Sequence, residues 1–265
     1  MKQTITTIIN GIKAEYIKSR GTKLFWITLA IPTLIAFFTF LVVQNMPANA
    51  TQKINGWEKL IDVTLSLSAF NILMMSIISI ISLSVQTEHK SNTWKHLLTL
   101  PVPNWTIFLS KYLFIILLIL SVHILIVALL LLNGGLLSLT RPTLNFSEFS
   151  PDLYVIAGSV AKIFLSILGV TAIQYWFSLR SKNYILPLFF GIFAVMIGTF
   201  ATALGWSKSV YIPYGYVTLT NMFNEGKINE VIYFGLPRFL WFSIVGFFII
   251  SFLAIYDSTS RRVKA

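Results

Sequence analysis

The sequence predicts an all-α integral membrane protein with six membrane-spanning helices, on the basis of its composition and its apolar runs. Of its 265 residues, 56% are hydrophobic and only 11% are charged, whereas a soluble domain carries about 25% charged residues. The apolar runs reach the roughly 20 residues that a helix needs to cross the hydrocarbon core. None of them alternates in the manner of membrane β-barrel strands.

Six runs have the length and character of spans, and we expect the whole chain, residues 1–265, to form one transmembrane domain. The runs cover residues 24–43, 61–85, 112–132, 154–178, 184–204 and 237–256. The first run is long and lacks the small-residue exit of a cleaved signal peptide, so we expect it to be retained as a span.

The segment before the first span, residues 1–23, predicts an amphipathic helix that lies in the membrane interface. Its apolar side chains recur at helical spacing, at Ile5, Ile8, Ile9, Ile12 and Tyr16. Lysine and glutamate occupy the opposite face, which would contact headgroups and water.

The distribution of charge predicts which side of the membrane each loop occupies. With the N-terminus inside, thirteen lysines and arginines are cytoplasmic and six are external, as the positive-inside rule requires. Only three carboxylates lie on the cytoplasmic side, namely Glu15, Glu88 and Asp257. Both termini are therefore predicted to be cytoplasmic. The net charge of +11 is explained by anionic membrane lipids, without nucleic acid as a partner.

The cytoplasmic loop between the second and third spans, residues 86–111, predicts a short helix with an apolar stripe. Trp94, Leu97 and Leu98 fall at positions i, i+3 and i+4 of that helix, and Pro101 ends it. Such a stripe either inserts into a groove of a partner protein as a coupling helix or rests on lipid headgroups. The residues alone leave both interpretations open.

Eight residues of this loop also occur in an order that resembles one protein family. They are Glu88, Ser91, Thr93, Trp94, Leu97, Leu98, Pro101 and, at the start of the next span, Lys111. The order is similar to that in the loop between the second and third spans of the ATP-binding cassette (ABC) type-2 permeases. The turn at residues 177–187 also resembles the turn between the fourth and fifth spans of that family. The resemblance is greatest to lantibiotic-immunity and bacitracin-resistance permeases. One departure is Asn92, since the family often has glycine before the threonine.

The resemblance implies the permease subunit of an ATP-driven exporter in a bacterial cytoplasmic membrane. Its substrate would be amphipathic, such as a peptide antibiotic, a drug or a lipid-like molecule. Separate ABC ATPase subunits, which bind the ATP and magnesium, would dock on the seven loop residues from Glu88 to Pro101. A second copy or a similar permease would complete the pathway as a dimer.

The chain itself is predicted to be neither an enzyme nor a metal-binding or cofactor-binding protein. It contains no phosphate-binding loop of the Gly-x-x-x-x-Gly-Lys-Ser/Thr type, no cysteine and no recognisable set of catalytic residues. His89 and His96 lack a third ligand. A secondary transporter and a non-transporting membrane scaffold or sensor subunit stay open as alternatives.

Three polar residues within the spans are candidates for the substrate pathway, each beside a structural alternative. His123 either serves the pathway or hydrogen-bonds another helix. Lys162 either contacts an anionic substrate, pairs with an acid such as Asp152, or extends its ammonium towards the interface. Gln174 either contacts substrate or joins helices.

The external segment 205–236 is rich in aromatic residues, which include Trp206, Tyr211 and Tyr214. This composition is typical of an interfacial belt. An external gate through which the substrate leaves is the alternative, and we expect the segment to fold back against the outer membrane face.

Overall fold

The computed structural model describes residues 2–47, 55–69, 71–90, 97, 99, 101–183 and 185–262. These residues form helices and connecting turns, with a single pair of two-residue strands. The helices are α1 (Lys2–Ser19), α2 (Lys23–Gln44), α3 (Gly56–Ala69), α4 (Ile72–Lys90), α5 (Asn104–Thr140), α6 (Leu153–Arg180), α7 (Ile185–Ala203), α8 (Tyr216–Asn224) and α9 (Arg238–Arg262). Strands β1 (Ile232–Tyr233) and β2 (Leu236–Pro237) pair antiparallel between α8 and α9.

Six helices in the described part of the chain, α2, α4, α5, α6, α7 and α9, are long and apolar enough to cross a bilayer. The all-α class is therefore confirmed, and the described residues contain as many candidate spans as the sequence predicts. Helices α2, α6 and α7 begin and end within two residues of the predicted runs, and α9 extends further at its C-terminal end. Hydropathy is accurate for α2, α6 and α7 because polar residues or glycine flank these helices.

The second predicted span, residues 61–85, is divided between two helices. Helix α3 ends at Ala69 and α4 begins at Ile72, and Asn71 between them has a φ of 60°. Asparagine tolerates this left-handed conformation better than most residues. The Thr199 hydroxyl lies 2.6 Å from the Asn71 side-chain oxygen, so the break is also fixed by a contact with α7.

Helix α5 extends well beyond the predicted run 112–132 at both ends. Its 37 residues correspond to a length of about 55 Å, which exceeds the roughly 30 Å of a hydrocarbon core. Polar residues that a hydropathy count places outside the span have partners on neighbouring helices. Near one end Lys111 is buried, and near the other the Asn133 amide donates to the carbonyl of Ala36 at 2.8 Å.

Helix α6 packs along α9 and against α4, while α1 lies along α5. The C-terminal ends of α4, α6 and α9 and the start of α5 lie at one end of the bundle, which we call the terminal end. There Asp257 of α9 accepts hydrogen bonds from Arg180 of α6 at 3.0 and 3.2 Å. The Tyr112 and Tyr175 rings stack with centroids 4.6 Å apart and so join α5 to α6. The sequence predicts that this end is cytoplasmic.

The segment between α7 and α8 folds back against the bundle. Gly215 packs against Gly198 so closely that a Cβ at Gly198 would lie 2.5 Å from the Gly215 nitrogen. Gly198 lies five residues before the end of α7, a depth of about 8 Å. Tyr214 points deeper still, because its hydroxyl reaches Gln174. Trp206 and Tyr211 are exposed, whereas Tyr214 is buried, so the segment places only part of its aromatic residues on the surface.

Candidate functional site

Four charged side chains meet at the terminal end, where α1, α4 and α5 converge. Lys18 of α1 contacts Glu15 on its own helix at 3.0 Å and Glu88 of α4 at 2.9 Å. Lys111 of α5 contacts Glu88 at 3.3 Å and makes a short hydrogen bond with Glu15. We call Glu15, Lys18, Glu88 and Lys111 the charge cluster. It joins three helices with two acids and two bases.

The charge cluster is buried. Glu88 and Lys111 are each 1% exposed and Glu15 is 7% exposed, so water solvates them poorly. Buried charges persist only when they are paired and hydrogen-bonded, and the loss of one partner leaves an uncompensated charge. The mutual pairing explains how four charges are accommodated here.

Lys18 is the most exposed member of the charge cluster, with a third of its side chain in contact with solvent. Partial burial alone would lower the pKa of its ammonium. The hydrogen bond and charge of Glu88, together with those of Glu15, outweigh this effect and raise the pKa above its ordinary value. Lys18 is therefore firmly protonated at neutral pH.

The seven predicted coupling residues are only partly described by the structure. Glu88 belongs to the charge cluster and is buried, so its side chain is not available on the surface of the loop. Leu97 is half-buried against the core and Pro101 is exposed. The predicted residues Ser91, Thr93, Trp94 and Leu98 lie outside the described residues. Docking of ATPase subunits on this loop stays a prediction.

Helix α1 approaches α5 closely beside this loop. A Cβ at Gly11 would lie 2.5 Å from the hydroxyl oxygen of Ser110, so glycine permits the contact. Next to it is a cavity of about 290 Å³ whose lining includes Gly11, Lys18 and Leu97. The predicted interfacial helix is thus packed against the third span, and it shares a surface with the loop.

Gln174 lies fully buried in α6 and joins four parts of the chain. Its amide nitrogen donates to the carbonyl of Pro187 on α7 at 2.7 Å and to the hydroxyl of Ser82 on α4 at 3.3 Å. Its oxygen accepts from the hydroxyl of Tyr214 at 3.2 Å. We call Gln174, Ser82, Pro187 and Tyr214 the amide junction. These contacts use the amide for helix packing.

Lys162 contacts the external segment rather than an acid. Its ammonium donates to the side-chain oxygen of Asn224 at 3.1 Å and lies 5.6 Å from the centre of the Phe223 ring. Asp152, the acid considered from the sequence, instead caps its own helix by accepting from the backbone of Tyr154 and Val155. Lys162 therefore holds the end of α8 against α6 through a neutral partner.

His123 is buried near the middle of α5, at 3% exposure. Its Nδ1 lies 2.8 Å from the carbonyl oxygen of Ile119 in the preceding turn. Its ring packs edge-on against Phe164 of α6, with ring centres 5.4 Å apart. Its hydrogen bond is thus to its own helix, and its contact with the next helix is aromatic.

Sequence reasoning did not select Glu15, Lys18 or Tyr214 as site residues. A usable signal existed for Glu15, because it is one of only three acids on the predicted cytoplasmic side. All three of those acids pair with bases on other helices, since Asp257 pairs with Arg180. No comparable signal singled out Tyr214 among the aromatic residues of its segment.

Comparison with known protein families identifies one family that matches most of the chain. A family model described as ABC-2 family transporter protein matches residues 11–198, which is more than two thirds of the 265 residues. A search of curated proteins finds no match. The matched range contains the whole charge cluster, the five helices from α2 to α6 and most of α7. Members of this family are membrane components of transporters and typically work with ABC ATPase subunits. The chain belongs to the ABC-2 family of transporter proteins and is a multi-pass membrane protein.

Proposed function

We propose that this chain is the permease subunit of an ATP-driven exporter in a bacterial cytoplasmic membrane. It moves an amphipathic substrate out of the membrane or the cell, and separate ATPase subunits dock on residues 88–101. A second copy or a similar permease completes the pathway. The family match supports the transporter assignment, while direction, substrate and docking are the parts proposed here.

The charge cluster is the observation that carries the coupling mechanism. Residues 91–100 lie between α4 and α5, and the cluster ties Glu88 near the end of α4 to Lys111 near the start of α5. It also ties both to α1. A displacement of the loop by an ATPase subunit would therefore move three helices together, because separating them would expose unpaired buried charges. Such a rigid-body movement is a common route from a local event to a change of access.

Among the candidate pathway residues, Lys162 keeps a role in substrate contact in this proposal. Its only partners among the described residues are the neutral Asn224 and the Phe223 ring. Its ammonium lies within a span, about 14 Å along α6 from Leu153. Intramembrane cations of this kind often contact substrate. Gln174 acts in this proposal by holding the segment around Tyr214.

Copurification and ATPase activity test the docking proposal. The full-length chain is coexpressed with its ATPase and purified in mild detergent, as wild type and as Trp94→Ala/Leu98→Ala. We expect wild type to retain and stimulate the ATPase and the double variant to lose stimulation while inserting normally. Lys182→Ala is the matched control, because Lys182 is exposed on the hairpin at the same end. Unchanged stimulation in the double variant would contradict docking on this loop.

Transport in vesicles tests the energy source. We expect export of an amphipathic probe to require ATP and to be insensitive to collapse of the proton gradient. Transport that followed the proton gradient without ATP would identify a secondary transporter. Normal ATPase binding with no transport of any probe would favour a scaffold or sensor.

The orientation can be measured directly, because the chain has no cysteine. Lys182→Cys and Lys208→Cys each place one thiol at an exposed position on opposite predicted sides. In intact cells we expect an impermeant maleimide to label the cysteine at 208 and to reach the one at 182 only after permeabilisation. The reverse pattern would place the charge cluster outside and remove it from the reach of an ATPase.

A further inference from the structure

A groove of about 380 Å³ lies between the middle of α5 and the first turns of α6. Apolar side chains form most of its lining, among them Leu120, Ile124 and Val127 of α5 and Ile156, Val160 and Phe164 of α6. Both helices are candidate membrane spans. The groove therefore lies between two candidate spans, where membrane lipid can reach it.

Small side chains on α6 create the groove. Ala157 and Ala161 line it and are exposed, so α6 leaves a hollow beside α5 where larger residues would fill the space. The volume falls in the range of pockets that hold small ligands, about 300–1,000 Å³. The shape and lining fit an alkyl chain.

His123 is the one residue of the groove lining with a polar side chain. Its Nδ1 must carry the proton, because the carbonyl oxygen of Ile119 at 2.8 Å can only accept. In the neutral imidazole, Nε2 is then an acceptor. Nε2 is buried and has no hydrogen-bond partner in the part of the chain that the structure describes. A buried polar atom without a partner costs stability, so a donor supplied by a ligand would be favourable.

We propose that this groove binds a membrane lipid that has an alkyl chain and a neutral hydroxyl group, with the hydroxyl donating to His123 Nε2. The ligand is neutral because the lining contains no charged side chain that could pair with an ion. It is a donor because Nε2 accepts. It comes from the bilayer because the groove opens between two spans. Binding does not depend on the proposed function, since it involves this chain alone.

Phe164 lies beside the imidazole that carries the acceptor. Its ring packs edge-on against the imidazole and also lines the groove, while Nε2 itself has no exposed surface. We expect the hydroxyl to reach Nε2 when the Phe164 ring turns aside. Removal of the Phe164 ring should therefore increase binding of the hydroxyl-bearing lipid. A variant that had merely lost its structure would not show such an increase.

Photolabelling of the full-length chain in phosphatidylcholine nanodiscs tests the proposal. The probes are a diazirine-bearing hexadecanol and its methyl ether, which has the same chain but cannot donate. We expect the alcohol to label α5 and α6 roughly threefold to tenfold more than the ether, as one intramembrane hydrogen bond allows. His123→Phe should remove this preference and keep a basal level of labelling, and Phe164→Ala should increase labelling by the alcohol.

Ala161→Trp is the control for the groove itself, since it should block both probes equally. Equal labelling of wild type by alcohol and ether would overturn the proposal, as would a preference that survives in His123→Phe. A second copy of the chain is the other possible occupant. Rapid disulfide formation between chains carrying Ala161→Cys, with no other thiol present, would assign the groove to that copy and also overturn the proposal.

Discussion

The charge cluster and the amide junction both hold several helices together, but they use different chemistry at different depths. The charge cluster joins α1, α4 and α5 at the terminal end through four ionised groups. The amide junction joins α4, α6, α7 and the segment before α8 through neutral groups around Gln174. Helix α4 contributes to both, through Glu88 and Ser82.

The difference follows from the cost of burying charge. At the terminal end Lys18 keeps a third of its side chain in contact with solvent, so water offsets part of the desolvation cost. Gln174 is fully buried within the spans, where an ion would be expensive and a neutral amide can still make three hydrogen bonds. Breaking the charge cluster therefore costs much free energy, whereas the hydrogen bonds of the amide junction can be broken one at a time at a smaller cost each. We therefore expect the terminal end to be stiffer than the region around Gln174.

The largest expected effect is the loss of the central base of the charge cluster. Lys111→Met leaves Glu15 and Glu88 buried with only Lys18 between them. We expect the free energy of unfolding in detergent to fall by about 3–5 kcal/mol. Lys182→Met, at an exposed position, is the control and should change little. If Lys111→Met unfolds like wild type, the charge cluster does not hold the three helices.

A double variant separates lost attraction from the penalty of an unpaired charge. In Lys111→Met/Glu88→Gln one acid is removed together with its base. We expect part of the stability lost in Lys111→Met to return, because fewer uncompensated charges remain buried. A double variant as unstable as the sum of both single changes would mean that the two residues act independently.

The next effect concerns the close approach that brings Tyr214 to the amide junction. Gly198→Val would force its Cβ into the backbone of Gly215, which a side-chain rotation cannot relieve. We expect a loss of about 1–3 kcal/mol, as for other overpacked sites, and faster proteolysis within residues 209–224. Gly158→Val is the control, because no atom lies within 4 Å of a Cβ there. Equal proteolysis in both variants would contradict the packing.

Hydropathy explains both the spans that the sequence predicts correctly and those that it predicts wrongly. Hydropathy locates helices that are flanked by polar residues, as for α2 and α6. It fails at α5 because Lys111 and Asn133 find partners on other helices and so extend the buried part of that helix. It also misses the break at Asn71, since one asparagine in a long apolar run hardly lowers the average.

The candidate site was predictable only in part, for a related reason. Glu88 and Lys111 were singled out by their order in the loop, but their partners on α1 required knowledge of how that helix packs. Gln174 was recognised as polar within a span, yet its contact with Tyr214 joins residues 40 positions apart. Periodicity and local motifs carry no information about such distant pairs.

A smaller effect is expected at the amide junction. Gln174→Leu removes three hydrogen bonds and leaves the hydroxyl of Tyr214 without its acceptor. We expect a loss of about 1–2 kcal/mol, because intramembrane hydrogen bonds contribute about 0.6 kcal/mol on average. Tyr214→Phe removes one of the three and should cost about a third as much. A loss for Gln174→Leu as large as that for Lys111→Met would remove the distinction between the two regions.

The smallest effect sharpens the comparison within the charge cluster, between its exposed and its buried base. Lys18→Met should cost about 1 kcal/mol, since a partly exposed ion pair is screened by solvent. The pKa of Lys18 is raised by folding above its ordinary 10.5. Its contribution is therefore complete below pH 10.5 and is lost as the pH rises through the higher folded-state pKa. The difference in unfolding free energy between wild type and Lys18→Met should stay constant from pH 7 to 9.5 and shrink only under more alkaline conditions. A difference that disappeared on mild acidification would contradict this assignment, because the ammonium of Lys18 stays protonated there.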